Sequence, residues 1–588
     1  MLGSMTTQGA ALLLSRRDLD FLLHDWLDAE SLLTRPRFAE HSRETVDAVL
    51  DLAAEVAAEH FAPHNKRADA EEPTFDGRRV HMIPEVRKAL DVLAQTGLIE
   101  SSTELPHVVS TAAFAWFQAA NPGTWAYPFL TIAAANLLRA HGTPEQIDAY
   151  VGPMAEGRFH GTMCLSEPQA GSSLADITTR AEPQPDGTHR LFGNKMWISA
   201  GEHELGENIV HLVLAKIPGG PPGVKGISLF AVPKFLADGQ RNDIALAGLN
   251  HKMGYRGTTN TLLNFGEGAH TPDGRPGAVG QLVGPPNGGL ACMFHMMNEA
   301  RIGVGAGAAA LGYTGYLKSV DYARTRTQGR PPAGKDPAAP PVPIIEHPDV
   351  RRMLLAQKCY AEGALALVLY CGRLLDEQHT GADPEGALLL LDVLTPIAKS
   401  WPSQWCVVAN DLAIQVHGGY GYTREYDVEQ HYRDNRLNPI HEGTHGIQAL
   451  DLLGRKVVMQ DGAGLTLLRE RVAATCARAT TGEPAELAAQ LTAVWDRIIA
   501  VTAQIHSTAD PDRLADATTY LEAVGHAVIA WIWLEQYLAC GDRDEPFHRG
   551  KRQAARFFFR RELPRTGPQL DLLAALDRTT VEMDPGWF

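Results

Sequence analysis

From residue 19 to about residue 150, apolar residues recur at spacings of three and four, as in RETVDAVLDLAAEVAAEHFAPHNKRAD and STAAFAWFQAANPGTWAYPFLTIAAANLLRAHG. That period predicts a helical layer. Near Phe159 the texture changes to short β-prone runs: Leu191-Phe192, Met196-Trp197-Ile198, Ile209 to Leu214, Ile227 to Val232 and Thr261 to Phe265, separated by Gly, Pro, Asn and Asp. Strands this closely spaced predict a sandwich or small barrel. Helical spacing returns at about Gly289 and persists to about Val458, which predicts a four-helix bundle. The run RPPAGKDPAAPPVPIIEHP interrupts it, and so many prolines exclude both helix and central strand, leaving a surface loop. After Asp461-Gly462-Ala463-Gly464 another helical region continues to the end. The pattern divides the chain into a helical extension (1–44), an α domain (45–158), a middle β-domain (159–286), a helical bundle (287–460) and an appended C-terminal helical bundle (465–588).

Composition narrows the class. A chain of 588 residues exceeds what one core organises, and 45% hydrophobic with 21% charged residues is ordinary for a folded globular protein. A net charge of -16 opposes overall affinity for nucleic-acid phosphates or anionic membranes. The 7 cysteines show no CxxC pair and no histidine cluster at ligand spacing, so neither a metal site nor a disulfide framework is expected. The apolar run from Ala10 to Leu14 is too short for a secretory signal, and no run approaches the ~20 residues of a membrane span. A cytoplasmic enzyme without membrane insertion is the expectation.

Four segments carry chemistry: MCLSEPQAGSS from Met163, NKMWISAG from Asn194, HKMGYRGTTN from His251, and QVHGGYGYTREYDVEQHYRDNRLNPIHEGTHGIQ from Gln415. In this order, across α, β and α regions, they resemble the signatures of the acyl-CoA dehydrogenase family, over roughly Thr45 to Lys456. The long β-domain segment ENIVHLVLAKIPGGPPGVKGISLFAVPKF and the extra C-terminal bundle are similar to the long-form branch that includes methylthiopropanoyl-CoA dehydrogenase. The resemblance implies a flavoprotein oxidoreductase of fatty acid metabolism with FAD as cofactor, acting on short or sulfur-containing acyl chains. The expected fold is an α bundle, a β-barrel and an α four-helix bundle.

The chemistry agrees. Desaturating a thioester requires removal of a weakly acidic α-proton and a β-hydride, and no side chain can accept the hydride, so a flavin must. A positioned carboxylate must take the proton, and hydrogen bonds must stabilise the enolate-like oxygen. The resemblance puts Glu442 in the base position, with its N–H and a flavin hydroxyl on the thioester oxygen, flavin N5 taking the hydride, and Gly443 leaving room for substrate. It puts Cys164, Leu165 and Ser166 along the flavin pyrimidine edge, and Trp197 and Ser199 against its ring. It also implies pyrophosphate contact at Gly418 and Gly419, flanked by Gln415 and Thr444. Arg326 and Gln328 are the implied contacts to the FAD of a neighbouring subunit in a homodimer. Ser172 and Arg301 are the candidates for the CoA moiety, although Arg301 could equally be structural through Glu299 or Asp321. His441 stands where relatives frequently carry an apolar residue or tyrosine, and is expected at the pocket mouth.

The implied electron acceptor is electron-transferring flavoprotein. An acyl-CoA oxidase, which keeps the same proton and hydride chemistry but uses oxygen, stays open. So does a related DNA-associated flavoprotein of the alkylation response, because HRGKRQAARFFFRRELPR interleaves basic and aromatic residues. An amphipathic helix packing its Phe side explains the same run without nucleic acid.

Overall fold

Residues 10–331 and 336–588 are described by a computed structural model. The chain divides into two units, one formed by Met1–Asp51, Leu105–Ala119 and Arg301–Phe588 and the other by Leu52–Glu104 and Ala120–Ala300.

The second unit holds the strands. A two-residue hairpin pairs β1 (Thr74–Phe75) with β2 (Val80–His81). The main sheet comprises β3 (Phe159–Cys164), β4 (Arg180–Pro183), β5 (His189–Ser199), β6 (Asn208–Lys216), β7 (Ile227–Pro233), β8 (Ile244–Leu249), β9 (Asn260–Phe265) and β10 (Ala278–Val283). Its order is β10-β7-β6-β4-β5-β9-β8, with β3 parallel to β6, and β10 pairs with β5 as well as β7, so the sheet curls back on itself. The closure pairs β10 on both sides and leaves β8 and β3 each with a single strand partner. Every residue of β6 from Asn208 to Ala215 is buried, and Val213, Phe230, Leu191, Leu263 and Phe265 fill one core. The helix Pro122–His141 packs on β3, where a Cβ at Gly161 would lie 2.4 Å from the Ala134 methyl, so only glycine lets strand and helix approach.

The first unit is helical. Three long helices, Gly289–Thr325 (which begins in the other unit), Pro348–Thr380 and Pro384–His417, supply most of it. The fourth helical span expected from the sequence is broken into Val428–Asn435 and His445–Asp451. Pro439 and the left-handed residue Glu442 lie in the break. Within Pro384–His417, Pro402 cannot donate to the Ala398 carbonyl four residues back. That carbonyl faces Gly305, where a Cβ would sit 2.0 Å from it, so two helices touch through a proline-freed carbonyl and a glycine. Among its described residues the proline-rich run after Thr325 has no helix or regular strand apart from one bridge, Thr327 to Pro343, and a single turn at Ile344–Glu346; residues 332–335 lie outside the described residues.

The C-terminal bundle comprises Ala463–Arg478, Gly482–Ser507, Ala517–Ala539 and Pro546–Phe557. The basic-aromatic run lies on the last of these and the turn beyond it. Phe558 and Phe559 are buried, and the buried Lys551 ammonium meets Asp18 at 2.5 Å and Glu362 at 2.8 Å. Arg556 pairs with Glu483, and Arg565 with Glu562. Those cations are matched by acids of the same unit.

Candidate active site

The Glu442 turn is built from a chain of buried amides. Asn410 donates to the Leu311 carbonyl at 3.0 Å, Asn435 donates to Asn410 Oδ1 at 2.7 Å, and Asn438 donates to Asn435 Oδ1 at 2.9 Å. Asn438 Oδ1 is left as an acceptor, so the His441 Nε2, 3.0 Å away, carries its proton and donates. Burial pushes the His441 ring down to about 3, so it is neutral. His441 is thereby tied to the amide chain.

Glu442 follows at φ 54 and Gly443 at φ 85, two consecutive left-handed residues. For a glutamate that region is uncommon and strained, and it persists only where neighbours impose it. The neighbours are explicit. Gln448 donates to the Glu442 carbonyl at 3.1 Å, Lys399 donates to the Asn438 and Gly443 carbonyls at 2.8 and 2.7 Å, and the Thr444 hydroxyl caps the next helix by accepting from the Ile447 N–H at 3.3 Å. Among the described residues the Glu442 carboxylate accepts no hydrogen bond and its N–H donates to none. Burial pushes this carboxyl up from the ordinary range, against the opposing charges of Lys399 and Arg301.

Arg301 is buried and paired with Asp451 at 3.2 Å. Among the described residues the ion pair found at Arg301 is with Asp451, the last residue of the helix His445–Asp451. Further along, Gln415 is exposed on the last turn of Pro384–His417, and its carbonyl accepts from the Gly418 N–H. Gly418 adopts φ 61, ψ -138, and a Cβ at Gly418 or Gly419 would meet nothing within 4 Å. Arg326 lies 5.7 Å over the Tyr420 ring, which brings it to the same turn. Both border a cleft of about 560 Å³ lined by Lys318, Tyr322, His417 and Tyr426. Gln328 is exposed, with its backbone bonded to Val342 at 2.9 Å.

In the other unit the candidate residues cluster at the end of β3 and a bulge in β5. The Cys164 thiol is buried beside Thr162 and His211, and burial pushes it up to about 12, so only its backbone can meet a ligand. Lys195 donates to the Leu165 carbonyl at 2.9 Å and pairs with Glu167 at 3.0 Å, while Met196 donates to the Ser166 carbonyl at 3.0 Å. Burial would raise the Glu167 carboxyl, but Lys195 and the Thr178 and Thr179 donors outweigh it and hold it at about 2. β5 and β9 lose register between Lys195 and Ile198, so one extra residue is extruded. Trp197 sits there at φ 65 with 60% of its surface exposed. An exposed tryptophan on a strained bulge is costly unless something stacks on it. Ser199 follows, its hydroxyl 3.4 Å from the Asn260 amide, and Ser172 is exposed in the loop after β3.

Each cluster by itself has features that suit a flavin nucleotide: an exposed aromatic face followed by a serine hydroxyl on the β5 bulge, and, within the helical unit, an open glycine backbone at Gly418 and Gly419 near Arg326 and its cleft. Lys399, Asn438, Gln448 and Asp451 were not foreseen. The signal available for Lys399 was a single cation inside the apolar run LLLLDVLTPIAKSWP.

The fold and site define an acyl-CoA dehydrogenase-like flavoenzyme, and sequence comparison agrees. Residues 162–267 match "Acyl-CoA dehydrogenase, middle domain", 287–457 match "Acyl-CoA dehydrogenase, C-terminal domain", and 468–584 match "Acetyl-CoA dehydrogenase C-terminal like". The chain is 36% identical over 542 residues to 3-methylmercaptopropionyl-CoA dehydrogenase of Ruegeria pomeroyi, covering 88% of this chain and 89% of that protein. It is 32% identical over 614 residues to a broad-specificity linear acyl-CoA dehydrogenase of Mycobacterium tuberculosis, covering 97% and 99%. Among solved structures, Caenorhabditis elegans ACDH-11 in complex with C11-CoA superposes with a TM-score of 0.78 at 18% identity, covering 96% of each chain. The Bacillus anthracis acyl-CoA dehydrogenase complexed with FAD gives 0.73 at 18%, covering 96% and 92%. At those identities the structural likeness shows the fold alone. The protein belongs to the acyl-CoA dehydrogenase family and is an FAD-dependent oxidoreductase of its long form. Among the described residues no helix is long and apolar enough to cross a membrane.

Proposed function

We propose that this enzyme converts an acyl-CoA thioester to the trans-2-enoyl-CoA, with Glu442 as the base that removes the α-proton. The observation that carries this reading is the Glu442 carboxylate itself, presented from a left-handed turn, raised in pKa by burial, and bonded to no donor among the described residues. A general base needs an uncommitted lone pair and a pKa moved toward the working range. The free Glu442 N–H is suited to the thioester oxygen, where its hydrogen bond strengthens as charge accumulates. FAD, when bound, supplies the acceptor for the β-hydride. Backbone groups of Cys164 and Leu165, the hydroxyls of Ser166 and Ser199, and the Trp197 face would hold its ring. Gly418 and Gly419, preceded by Gln415, would admit its pyrophosphate, with Thr444 as a further proposed contact.

Arg301, buried against Asp451, serves the Glu442 carboxylate through its charge, and Ser172 is the more accessible contact for CoA. Arg326, exposed on an open cleft, and the exposed Gln328 suit contact with the cofactor of a second copy in a homodimer. The R. pomeroyi relative's name supports a short, sulfur-containing acyl group as a first substrate to try. Electron-transferring flavoprotein is the proposed acceptor.

The test is an anaerobic titration of the flavin-loaded enzyme with acyl-CoAs of graded length and with 3-methylthiopropanoyl-CoA. Bleaching of the flavin band by one of them, with a product lighter by two hydrogens, supports the dehydrogenation. Reoxidation by electron-transferring flavoprotein but not by oxygen separates dehydrogenase from oxidase. Absence of bleaching by every thioester would contradict the proposal.

A further inference from the structure

Lys399 is fully buried, yet among the described residues it forms no ion pair within 4 Å. Its ammonium donates to two backbone carbonyls, Asn438 at 2.8 Å and Gly443 at 2.7 Å, which bracket the turn carrying Glu442. A buried cation without a carboxylate in contact is costly, and a structural clamp on two carbonyls could use an uncharged donor at lower cost. The charge needs its own explanation. The turn supplies it, since Glu442 is the carboxylate that Lys399 stabilises through space.

The site of Lys399 is itself rigidly held. Pro396 and Pro402 flank it in the helix, the Ser403 hydroxyl donates to its carbonyl at 2.5 Å, and Trp401 donates to His526 of the C-terminal bundle at 3.2 Å. A Cβ at Gly525 would lie 2.6 Å from the Trp401 ring, so that bundle is seated directly against the same helix. The groups facing the pair are Arg301, with Asp451 and Arg455 behind it, neutral His441 in the turn, and His445, which lies 4.0 Å from Glu522 of the C-terminal bundle. Arg301 is the other cation that acts on Glu442, and Asp451 partly neutralises it.

We propose that Lys399 is a positioning residue for the Glu442 base: it holds the turn from beneath through Asn438 and Gly443, and it supplies the positive charge that keeps the carboxylate ready to accept a proton. This rests on the reading of Glu442 as the base. Burial pushes Lys399 itself down to about 7, so its charge, and with it its hold on the Glu442 carboxylate, is fully present on the acid side of that value.

Two variants separate clamp from charge. Lys399→Gln keeps a donor and removes the charge, while Lys399→Met removes both. In flavin-loaded protein, the acid limb of the pH profile of anaerobic bleaching is expected to move to higher pH in both variants. The rate on the alkaline plateau falls on the order of 10-fold further in Lys399→Met than in Lys399→Gln, because only that variant frees the turn. A second readout does not depend on turnover. The carboxyl infrared band lost in Glu442→Gln is titrated in wild type and in both lysine variants, and is expected to protonate at higher pH when the charge is absent. An infrared titration and acid limb unchanged in both variants overturn the proposal. If the infrared titration shifts but Glu442→Gln still bleaches at the wild-type rate, the base assignment fails and the positioning role falls with it, which distinguishes the two failures.

Discussion

The side-chain amide of Gln448 donates to the backbone carbonyl of Glu442 across 3.1 Å, and the same amide nitrogen would lie 2.5 Å from a Cβ at Gly443. Gln448 thus closes the helix His445–Asp451 back onto the turn before it. The left-handed geometry of two consecutive residues is the result.

Gly443→Ala tests that closure. At φ 85 an alanine is strained, and its methyl must displace the Gln448 amide. The expected loss is about 1–3 kcal/mol of local stability, with activity falling more than thermal midpoint because the turn carries the proposed base. Calorimetry beside steady-state turnover checks it, and an alanine variant with normal turnover would contradict it.

Trp197 buries little of itself in protein, so Trp197→Ala should leave the thermal midpoint of the flavin-free protein nearly unchanged. FAD retention should weaken by roughly tenfold, the equivalent of one lost stacking contact. Equilibrium dialysis of FAD against both proteins measures this. Equal retention would remove Trp197 from the cofactor site.

The Arg301–Asp451 pair is buried on both sides, at 5% and 10% side-chain exposure. Asp451→Asn removes the carboxylate 3.2 Å from a buried guanidinium, and a loss of about 3–5 kcal/mol is expected. Arg301→Met with Asp451→Leu should recover most of that stability without recovering full activity, since Glu442 also loses a cation. Denaturant midpoints of the single and double variants decide it.

Three buried histidines of the β-domain are expected to make stability fall in acid. Burial holds His160 at about 4 and His211 at about 3, with His203 also depressed. The unfolded chain binds protons at these histidines below about 6.5 while the folded chain does not, so their contribution is fully present above that pH and is lost as pH falls toward 4. Glu299 and Asp376, both raised to about 7 by burial, act in the opposite sense, losing stability as pH rises through the same window. The informative quantity is therefore a difference. His160→Phe keeps the ring against His203, 4.7 Å away, and removes the titration, so its thermal midpoint should fall less than the wild-type value between pH 7 and about 4.5. Parallel pH curves would show that His160 does not titrate on unfolding.

Much of this was legible in the sequence because periodicity and motif act locally. The β-prone runs from Leu191 to Phe265 became strands, and the HRGKRQAARFFFRRELPR run became a helix with buried Phe558 and Phe559. What escaped was long-range. Nothing near Arg301 announces Asp451, 150 residues on, and Lys399 reads as a misplaced cation until Asn438 and Gly443 are folded onto it. The exposure of Trp197 depends on a register shift between two strands, and the break in the fourth helical span depends on a turn that Gln448 and Lys399 impose.

The central claim is that Glu442 removes the proton. Single-turnover flavin reduction of Glu442→Gln, mixed anaerobically with the best thioester, tests it most directly. The account predicts bound FAD, near-normal thioester affinity and bleaching slowed at least ~100-fold, as loss of a general base requires. Bleaching at the wild-type rate in that variant would contradict it.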